Sequence, residues 1–221
     1  MSFTEILTNG LISRGGATSS YVIGAIAVAA LSYLIGSVNF SLILQKKEDD
    51  VIQPDKGRRI AAFCLDFLKS AICVFSGILL MPADGFAFVA ALFCIVGHAY
   101  PVYFGFRGNN SVAVYFGTMV CLNPPAAAIS AVAFALFLLI SKYVSLSSIA
   151  MTLVFPIVNF YLRFSLFKVD TSDIYGLINY ILCTSTPIFA AVIVCITHIA
   201  NIKRLIAGTE TRLGENNDGK N

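Results

Sequence analysis

The chain contains two histidines, and each stands where a long apolar stretch gives way to polar residues. His98 lies in the sequence Gly-His-Ala-Tyr-Pro, and His198 is followed at short intervals by Asn201, Arg204 and Glu210. An imidazole changes charge near neutral pH, and the free N–H groups of a helix end attract anions. We interpret the two histidines as candidates for one polar pocket that binds an anionic ligand. The alternative is that each caps or packs against the end of a helix.

Asp66 and Lys69 are charged residues inside an otherwise apolar stretch. Because they are three residues apart, they share one face of a helix. Burying either charge alone in a bilayer is costly, so a mutual pair or a water-filled cavity is the cheaper solution. Two interpretations stay open: a neutralised pair that orients its helix, or a direct contact with a substrate.

Other chemistries have little support in the sequence. The six cysteines all lie in apolar stretches, without the Cys-x-x-Cys or Cys/His spacing of zinc and redox sites, so we predict no metal site. The net charge of +3 is small and no basic face is visible, which argues against nucleic acid as a partner.

The composition predicts the elements that must position these residues. Hydrophobic residues make up 57% of the chain and charged residues 12%, about half the charged share of a soluble domain. Such a chain fits a lipid bilayer, where spanning segments are helices of about 20 apolar residues. The apolar stretches are 21–44, 60–81, 85–106, 111–141, 143–162 and 174–202. Since Pro124 and Pro125 divide the fourth, we predict an all-α, polytopic membrane bundle of about seven helical segments.

The distribution of lysine and arginine predicts the orientation. The loop at 45–59 is rich in basic residues, and alternating spans place the basic C-terminal residues on the same side. Because positive residues favour the cytoplasm, we predict an outer N-terminus and a cytoplasmic C-terminus. The predicted organisation is an extracytoplasmic segment at 1–20, a single transmembrane domain at 21–202 and a cytoplasmic tail at 203–221.

Five segments, in order along the chain, carry a family resemblance. They are YLIGSVNF at 33–40, GRRIAAFCLDFLK at 57–69, GHAYPVYFGFRG at 97–108, KYVSLSSI at 142–149 and HIANIKRLIAGTE at 198–210. These segments resemble the motifs of the bacterial acyl-phosphate:glycerol-3-phosphate acyltransferases of the PlsY type. The resemblance extends from about residue 30 to residue 213 and therefore covers most of the chain.

The resemblance implies a seven-helix protein of the bacterial inner membrane with its site facing the cytoplasm. Enzymes of this family move a fatty acyl group from acyl-phosphate to the 1-position of glycerol 3-phosphate, without a metal or another cofactor. The implied partners are these two substrates and membrane lipid. The implied catalytic residues are His98, His198 and Asn201. The implied substrate-binding residues are Ser37, Arg107, Gly108, Asn110, Ser145 and Glu210.

The sequence departs from the family pattern at two phosphate-binding loops. The loop at 45–55 lacks the family's Gly, Ser and Asn residues and carries four acidic residues instead. In the second loop, Asn110 stands where the family has a lysine, so a charge-assisted bond to phosphate is lost. Replacement charge is available from Lys46, Lys47, Arg58 or Arg59.

Two functions from different classes follow from these observations. The first is a membrane acyltransferase of phospholipid synthesis. The second is a non-catalytic relative that acts as a scaffold or regulator and binds a lipid or a membrane protein partner, which the two altered loops favour. The helix count and the break at Pro124 also suggest a small transporter, but the break lies on the outer side, away from the polar residues.

Overall fold

The computed structural model describes residues 18–44, 56–81, 83–166 and 174–213. Within these ranges the protein is helical, without a β-strand. The α-helices are α1 (Thr18–Ser37), α2 (Phe40–Leu44), α3 (Lys56–Leu80), α4 (Asp84–Ala99), α5 (Val112–Leu122), α6 (Pro124–Ser141), α7 (Val144–Leu166), α8 (Ile174–Thr197) and α9 (Ile199–Ile206), with a 3₁₀ turn at Val102–Phe104.

The predicted set of apolar segments is confirmed in the part of the chain that the structure describes. Six helices are long and apolar enough to cross a membrane, and α5 is a shorter apolar helix. The predicted break at Pro124 separates α5 from α6. Asn123 caps α6, because its side-chain oxygen accepts a hydrogen bond from the Ala126 N–H at 3.3 Å, and Pro124 occupies a first-turn position that lacks a helical N–H partner anyway.

Three other apolar stretches are not single continuous helices, and in two of them the helix ends beside a histidine, as the sequence indicated. The first stretch divides between α1 and α2, where the Asn39 side-chain oxygen accepts a hydrogen bond from Leu42 N at 3.1 Å. The stretch at 85–106 ends its helix at Ala99, just before Pro101, since a residue preceding proline disfavours helical geometry. The last stretch divides at His198. At the first of these ends, a single capping residue, Asn39, redirects the chain while the stretch as a whole stays apolar.

Helix α4 lies at the centre of the bundle and packs against α1, α3 and α8. Its crossing with α1 depends on two glycines: a Cβ on Gly36 would collide with the backbone of Cys94, and a Cβ on Gly97 would collide with the backbone of Tyr33. Small residues allow membrane helices to approach this closely. This close approach packs α1 directly against α4, the helix that carries His98.

Two buried asparagines are hydrogen-bonded inside the bundle. The Asn123 amide donates to the Asn159 side-chain oxygen at 3.0 Å, and the Asn159 amide donates to the Cys183 carbonyl at 3.1 Å. This chain of bonds joins the start of α6 to α7 and α8. Large apolar side chains such as Leu139 and Ile140 point outward, as expected of surfaces that face lipid.

Candidate functional site

A polar cavity of about 610 Å³ lies at one end of the bundle. It is formed by α2, the start of α3, the loop before α5, the start of α7, and α9 with the segment that follows it. Its polar lining residues are Ser41, Arg59, Asn109, Asn110, Ser145, Ser148, His198, Asn201, Glu210, Thr211 and Arg212. The cavity thus gathers side chains from five separate parts of the sequence.

Five of the nine candidate site residues from the sequence line this cavity: Asn110, Ser145, His198, Asn201 and Glu210. Among the residues that the structure describes, the other four are placed elsewhere. Ser37 donates its hydroxyl hydrogen to the Tyr33 carbonyl of its own helix at 2.8 Å. Arg107 is exposed. Gly108 packs against the carbonyls of His98 and Ala99, where a Cβ would collide.

His198 stands between α8 and α9 and is only 1% exposed. Its Nδ1 atom lies 2.8 Å from the Val194 carbonyl oxygen, which can only accept, so Nδ1 carries the hydrogen. The Nε2 atom of the neutral ring is therefore a hydrogen-bond acceptor. Burial lowers the pKa of the imidazole and outweighs the opposing effects of the Val194 carbonyl and Glu210, which favours this neutral form.

Asn201 and Glu210 are coupled through the turn that follows α9. Gly208 adopts a left-handed φ of 69°, which turns the chain back toward the helix. The Glu210 carboxylate then accepts from Arg204 Nε at 2.7 Å and from the Asn201 amide at 3.3 Å. Partial burial opposes ionisation, but Arg204, with Ser145 and Asn201, holds the pKa of Glu210 below its usual range. Glu210 is thus a carboxylate that orients the Asn201 amide.

The segment 211–213, which we name the tail strap, forms one wall of the cavity. Leu213 N donates to the Lys142 carbonyl at 2.8 Å, so the strap is tied to the turn between α6 and α7. Arg212 Nε donates to the Tyr143 hydroxyl at 3.0 Å, and the guanidinium lies 5.4 Å from the centre of the Tyr143 ring. These contacts fix a cation in the cavity wall.

Two arginines supply positive charge to the cavity lining. Arg59 comes from the first turn of α3, and Arg212 comes from the tail strap. Asn110, at the position of the family's lysine, also lines the cavity. The loop at 45–55, with Lys46 and Lys47, lies outside the described residues.

His98 lies in a buried polar cluster with Asp66 and Lys69. Lys69 Nζ is 2.9 Å from His98 Nδ1 and 2.9 Å from Asp66 Oδ1. Of the two interpretations of the charged pair, this geometry is that of the neutralised pair. Because a lysine ammonium can only donate, His98 Nδ1 is an acceptor here. None of the three lines the cavity, as far as the described residues extend.

Among the residues that the structure describes, no group of three or more His, Cys, Asp or Glu side chains is placed to hold a metal ion.

The family model described as glycerol-3-phosphate acyltransferase matches residues 26–208. The chain belongs to the glycerol-3-phosphate acyltransferase family. Among curated relatives, the glycerol-3-phosphate acyltransferase of Halalkalibacterium halodurans is 34% identical over 83% of this chain and 92% of its own length. That of Bartonella henselae is 31% identical over 86% of this chain and 92% of its own length.

Solved structures agree with this assignment. The crystal structure of PlsY (YgiH), an integral membrane glycerol 3-phosphate acyltransferase in its glycerol 3-phosphate form, gives a TM-score of 0.70 at 26% identity and covers 86% of this chain and 96% of that chain. The lysophosphatidic acid form gives a TM-score of 0.69 at 25% identity, covering 85% of this chain and 94% of that chain. This glycerol-3-phosphate acyltransferase family member is therefore a multi-pass integral membrane protein.

An apolar groove of about 870 Å³ runs between α7 and α8 of this family member. Leu153, Pro156 and Phe160 line one side and Ile188, Val192 and Ile196 the other. The groove reaches Ile199 and Ile202 of α9, the helix that also carries Asn201. The apolar groove and the polar cavity therefore each have lining residues on α9.

Sequence reasoning assigned no role to Ser41 and Arg212, which line the cavity, or to Tyr143, whose hydroxyl orients Arg212. Tyr143 lies within the segment KYVSLSSI at 142–149, to which the resemblance gave no role at that position. Arg212 lies two residues beyond the last motif, and only the fold of the tail strap brings it back to the site. Ser41 follows a helix break that hydropathy does not detect, although Asn39 as a capping residue is the signal that marks such a break.

Proposed function

We propose that the protein transfers a fatty acyl group from acyl-phosphate to glycerol 3-phosphate at the cytoplasmic face of the bacterial inner membrane. The observation that carries this proposal is the polar cavity, in which His198, Asn201 and Ser145 stand beside two arginines in a member of this acyltransferase family. The PlsY structure with glycerol 3-phosphate belongs to a protein of the same fold. The concentration of basic residues in loop 45–59 and the tail supports the cytoplasmic orientation.

Phosphate recognition falls to Arg59 and Arg212 in this proposal. A guanidinium offers a planar set of donors that matches the oxygens of a phosphate group. Arg212 is already oriented by the Tyr143 hydroxyl, so less side-chain freedom is lost on binding. Asn109 and Asn110, which also line the cavity, add amide groups as neutral donors.

Hydroxyl orientation falls to His198 and Asn201. The Nε2 acceptor of His198 receives a hydrogen bond from the attacking hydroxyl of glycerol 3-phosphate. The hydroxyl oxygen forms a bond to the acyl carbonyl carbon while the bond from that carbon to the phosphate oxygen breaks. Inorganic phosphate leaves with the electron pair of the broken bond and takes up the proton that the attacking hydroxyl releases, so the step needs no other reactant. Positioning and charge stabilisation are the main contributions that a protein makes to such a reaction.

The acyl chain occupies the apolar groove between α7 and α8. The groove is lined by aliphatic and aromatic side chains and includes Ile199 and Ile202 of α9, the helix whose Asn201 lines the polar cavity. The shared helix supports a substrate whose reactive head lies in the cavity and whose chain lies in the groove. Membrane lipid is thus a partner both as solvent and as the destination of the product.

The test is an assay of the purified protein in lipid vesicles with palmitoyl-phosphate and glycerol 3-phosphate. We expect lysophosphatidic acid above the level of protein-free vesicles, and a large loss of product with His198→Ala. Lys203→Gln, which removes an exposed cation from α9 outside the cavity lining, is the matched control and keeps full activity. Product at the protein-free level contradicts the proposal.

A non-catalytic scaffold or regulator is the second candidate. The observation that favours it is the neutral Asn110 in the cavity, together with the acidic residues of loop 45–55. This function predicts that Asn110→Lys alone produces no acyl transfer and that an active membrane enzyme of lipid synthesis co-purifies with the chain. A pure monomer with measurable acyl transfer contradicts it.

A further inference from the structure

The break between α1 and α2 is closed by a single buried ion pair. Helix ends leave carbonyls at one side of such a break and N–H groups at the other without helical partners. Asp66 is 0% exposed and Lys69 is 3% exposed, and both belong to α3, which packs alongside the break. Their 2.9 Å ion pair therefore sits where both kinds of backbone group need partners.

Lys69 serves the end of α1. Its ammonium lies 3.0 Å from the Gly36 carbonyl oxygen and also contacts the Val38 carbonyl. The same ammonium donates to His98, whose own carbonyl accepts from the Asn39 amide at 3.3 Å. The positive partner of the pair thus holds the end of α1 against α4.

Asp66 serves the start of α2. Its Oδ1 atom accepts from the Phe40 N–H at 3.3 Å, and its Oδ2 atom accepts from the Ser41 hydroxyl at 2.7 Å. Ser41 also lines the polar cavity that contains His198 and Asn201. The negative partner of the pair thus reaches the cavity through one hydroxyl group.

The direction of the Ser41–Asp66 bond determines what Ser41 offers to the cavity. A carboxylate paired with an ammonium has no hydrogen to give, so Ser41 must donate and Asp66 must accept. A serine hydroxyl has one hydrogen and two lone pairs. Because the hydrogen is committed to Asp66, Ser41 Oγ presents only lone pairs to a ligand.

We propose that Ser41 is a specificity-determining acceptor for a hydroxyl group of the substrate, and that Asp66 and Lys69 are the residues that position it. This inference rests on the proposed function for the identity of the ligand. Arginines in the cavity select for phosphate, and Ser41 selects for a hydroxyl on the same molecule. The combination distinguishes glycerol 3-phosphate from a simple alkyl phosphate.

The test compares the binding of two ligands to the detergent-solubilised full-length protein, measured by the rise in unfolding temperature on titration. Glycerol 3-phosphate has hydroxyls, and n-propyl phosphate has the same carbon and phosphate skeleton without them. We expect Ser41→Ala to weaken glycerol 3-phosphate binding roughly 3- to 10-fold, the effect of one lost hydrogen bond, and to leave n-propyl phosphate binding unchanged. Ser41→Ala keeps both members of the ion pair, so it leaves the closure of the helix break in place.

Ser76→Ala is the matched control. It removes a hydroxyl that donates to the Cys73 carbonyl of the same helix, and Ser76 lies outside the lining of the cavity. Asp66→Asn tests the positioning role: an amide can donate as well as accept, so Ser41 is no longer committed as an acceptor. We expect the Asp66→Asn, Ser41→Ala double variant to bind glycerol 3-phosphate no more weakly than Ser41→Ala. If Asp66→Asn does not fold, the Ser41→Ala comparison decides.

Two results overturn the inference. One is equal binding of glycerol 3-phosphate to wild type and Ser41→Ala, and the other is an equal loss of affinity for both ligands. In both cases the proposed function stands, since the wild-type protein binds glycerol 3-phosphate. A wild-type protein that glycerol 3-phosphate does not stabilise contradicts the proposed function and this inference together.

Discussion

Nδ1 of His198 donates a hydrogen bond of 2.8 Å to the Val194 carbonyl, one helical turn earlier in α8. The bond fixes the tautomer of the ring and leaves Nε2 as the acceptor. His198 follows the end of α8, directly precedes the helix that carries Asn201, and lines the cavity.

The first prediction concerns pH. Because burial lowers the pKa of His198 below its usual value of 6.5, the neutral acceptor persists at neutral pH and is lost only below that value. We expect kcat/KM for acyl transfer to fall as the pH decreases below about 6.5. The phosphate groups of the substrates titrate near pH 6 as well. His198→Gln is therefore the control, because the pH dependence of its residual activity reflects the titration of the substrate phosphates alone. If the pH profile of kcat/KM is the same in His198→Gln and wild type, the neutral His198 ring is not the acceptor.

The second prediction concerns Arg212. Removing a charge-assisted hydrogen bond costs about 1.5–3 kcal/mol, so Arg212→Gln should raise the KM for a phosphate substrate about 10- to 100-fold. Measuring KM separately for glycerol 3-phosphate and for palmitoyl-phosphate shows which phosphate the arginine binds. Lys203→Gln, with the same change of charge on the exposed side of α9, should leave both KM values unaltered. Equal KM values in Arg212→Gln and wild type would remove Arg212 from the site.

The third prediction separates activity from stability at Glu210. The Arg204 side chain is 51% exposed and the Glu210 side chain 8% exposed, so solvent screens the ion pair from the arginine side. Glutamine at 210 also keeps an acceptor oxygen for Arg204 and Asn201. Glu210→Gln should therefore change the unfolding temperature little. It should nevertheless reduce kcat, because the Asn201 amide loses its charged acceptor and its fixed orientation. A large fall in unfolding temperature with normal kcat would show that the turn matters for folding instead.

The fourth prediction concerns the crossing of α1 and α4. A Cβ at Gly97 would collide with the Tyr33 backbone, which cannot move aside, so Gly97→Ala should destabilise the protein by about 1–3 kcal/mol. Gly24→Ala is the matched control, because its Cβ would meet only the flexible end of the Met81 side chain. Thermal unfolding in detergent should therefore separate the two variants. Similar unfolding temperatures would contradict the backbone-to-backbone crossing.

The sequence predicted the membrane helices well because apolar length is a property of each segment alone. Pro124 marked its break because proline lacks the N–H that a helix interior requires. Asn39 did not mark its break, because its side chain caps α2 from within an apolar stretch, whereas His198 was placed at the end of the last long helix, where the structure has it. The spacing of Asp66 and Lys69 predicted a shared helix face and left open whether they pair or contact a substrate, and their bonds to the α1–α2 break depend on how α3 packs beside it.

The sequence predicted the site residues that lie within family motifs, and it did not predict those that tertiary packing brings to the cavity. The resemblance pointed to His198, Asn201 and Glu210 within one segment, and all three line the cavity. His98 belongs to an equally recognisable motif, yet it packs behind the cavity with Lys69, since α4 is the helix that the others surround. Arg212 is held at the cavity by contacts with the turn between α6 and α7: its own bond to Tyr143 and the bond of Leu213 to Lys142.

The closure of the α1–α2 break affects how the protein assembles during its synthesis. A ribosome makes the break at Val38 and Asn39 first, the Asp66–Lys69 pair second and His98 last. The first two spans therefore enter the membrane with the lysine short of one partner, and the arrival of α4 completes the cluster. A nascent chain stalled before residue 98 should accordingly leave its first hairpin more open to protease or to thiol labelling than a chain stalled after it.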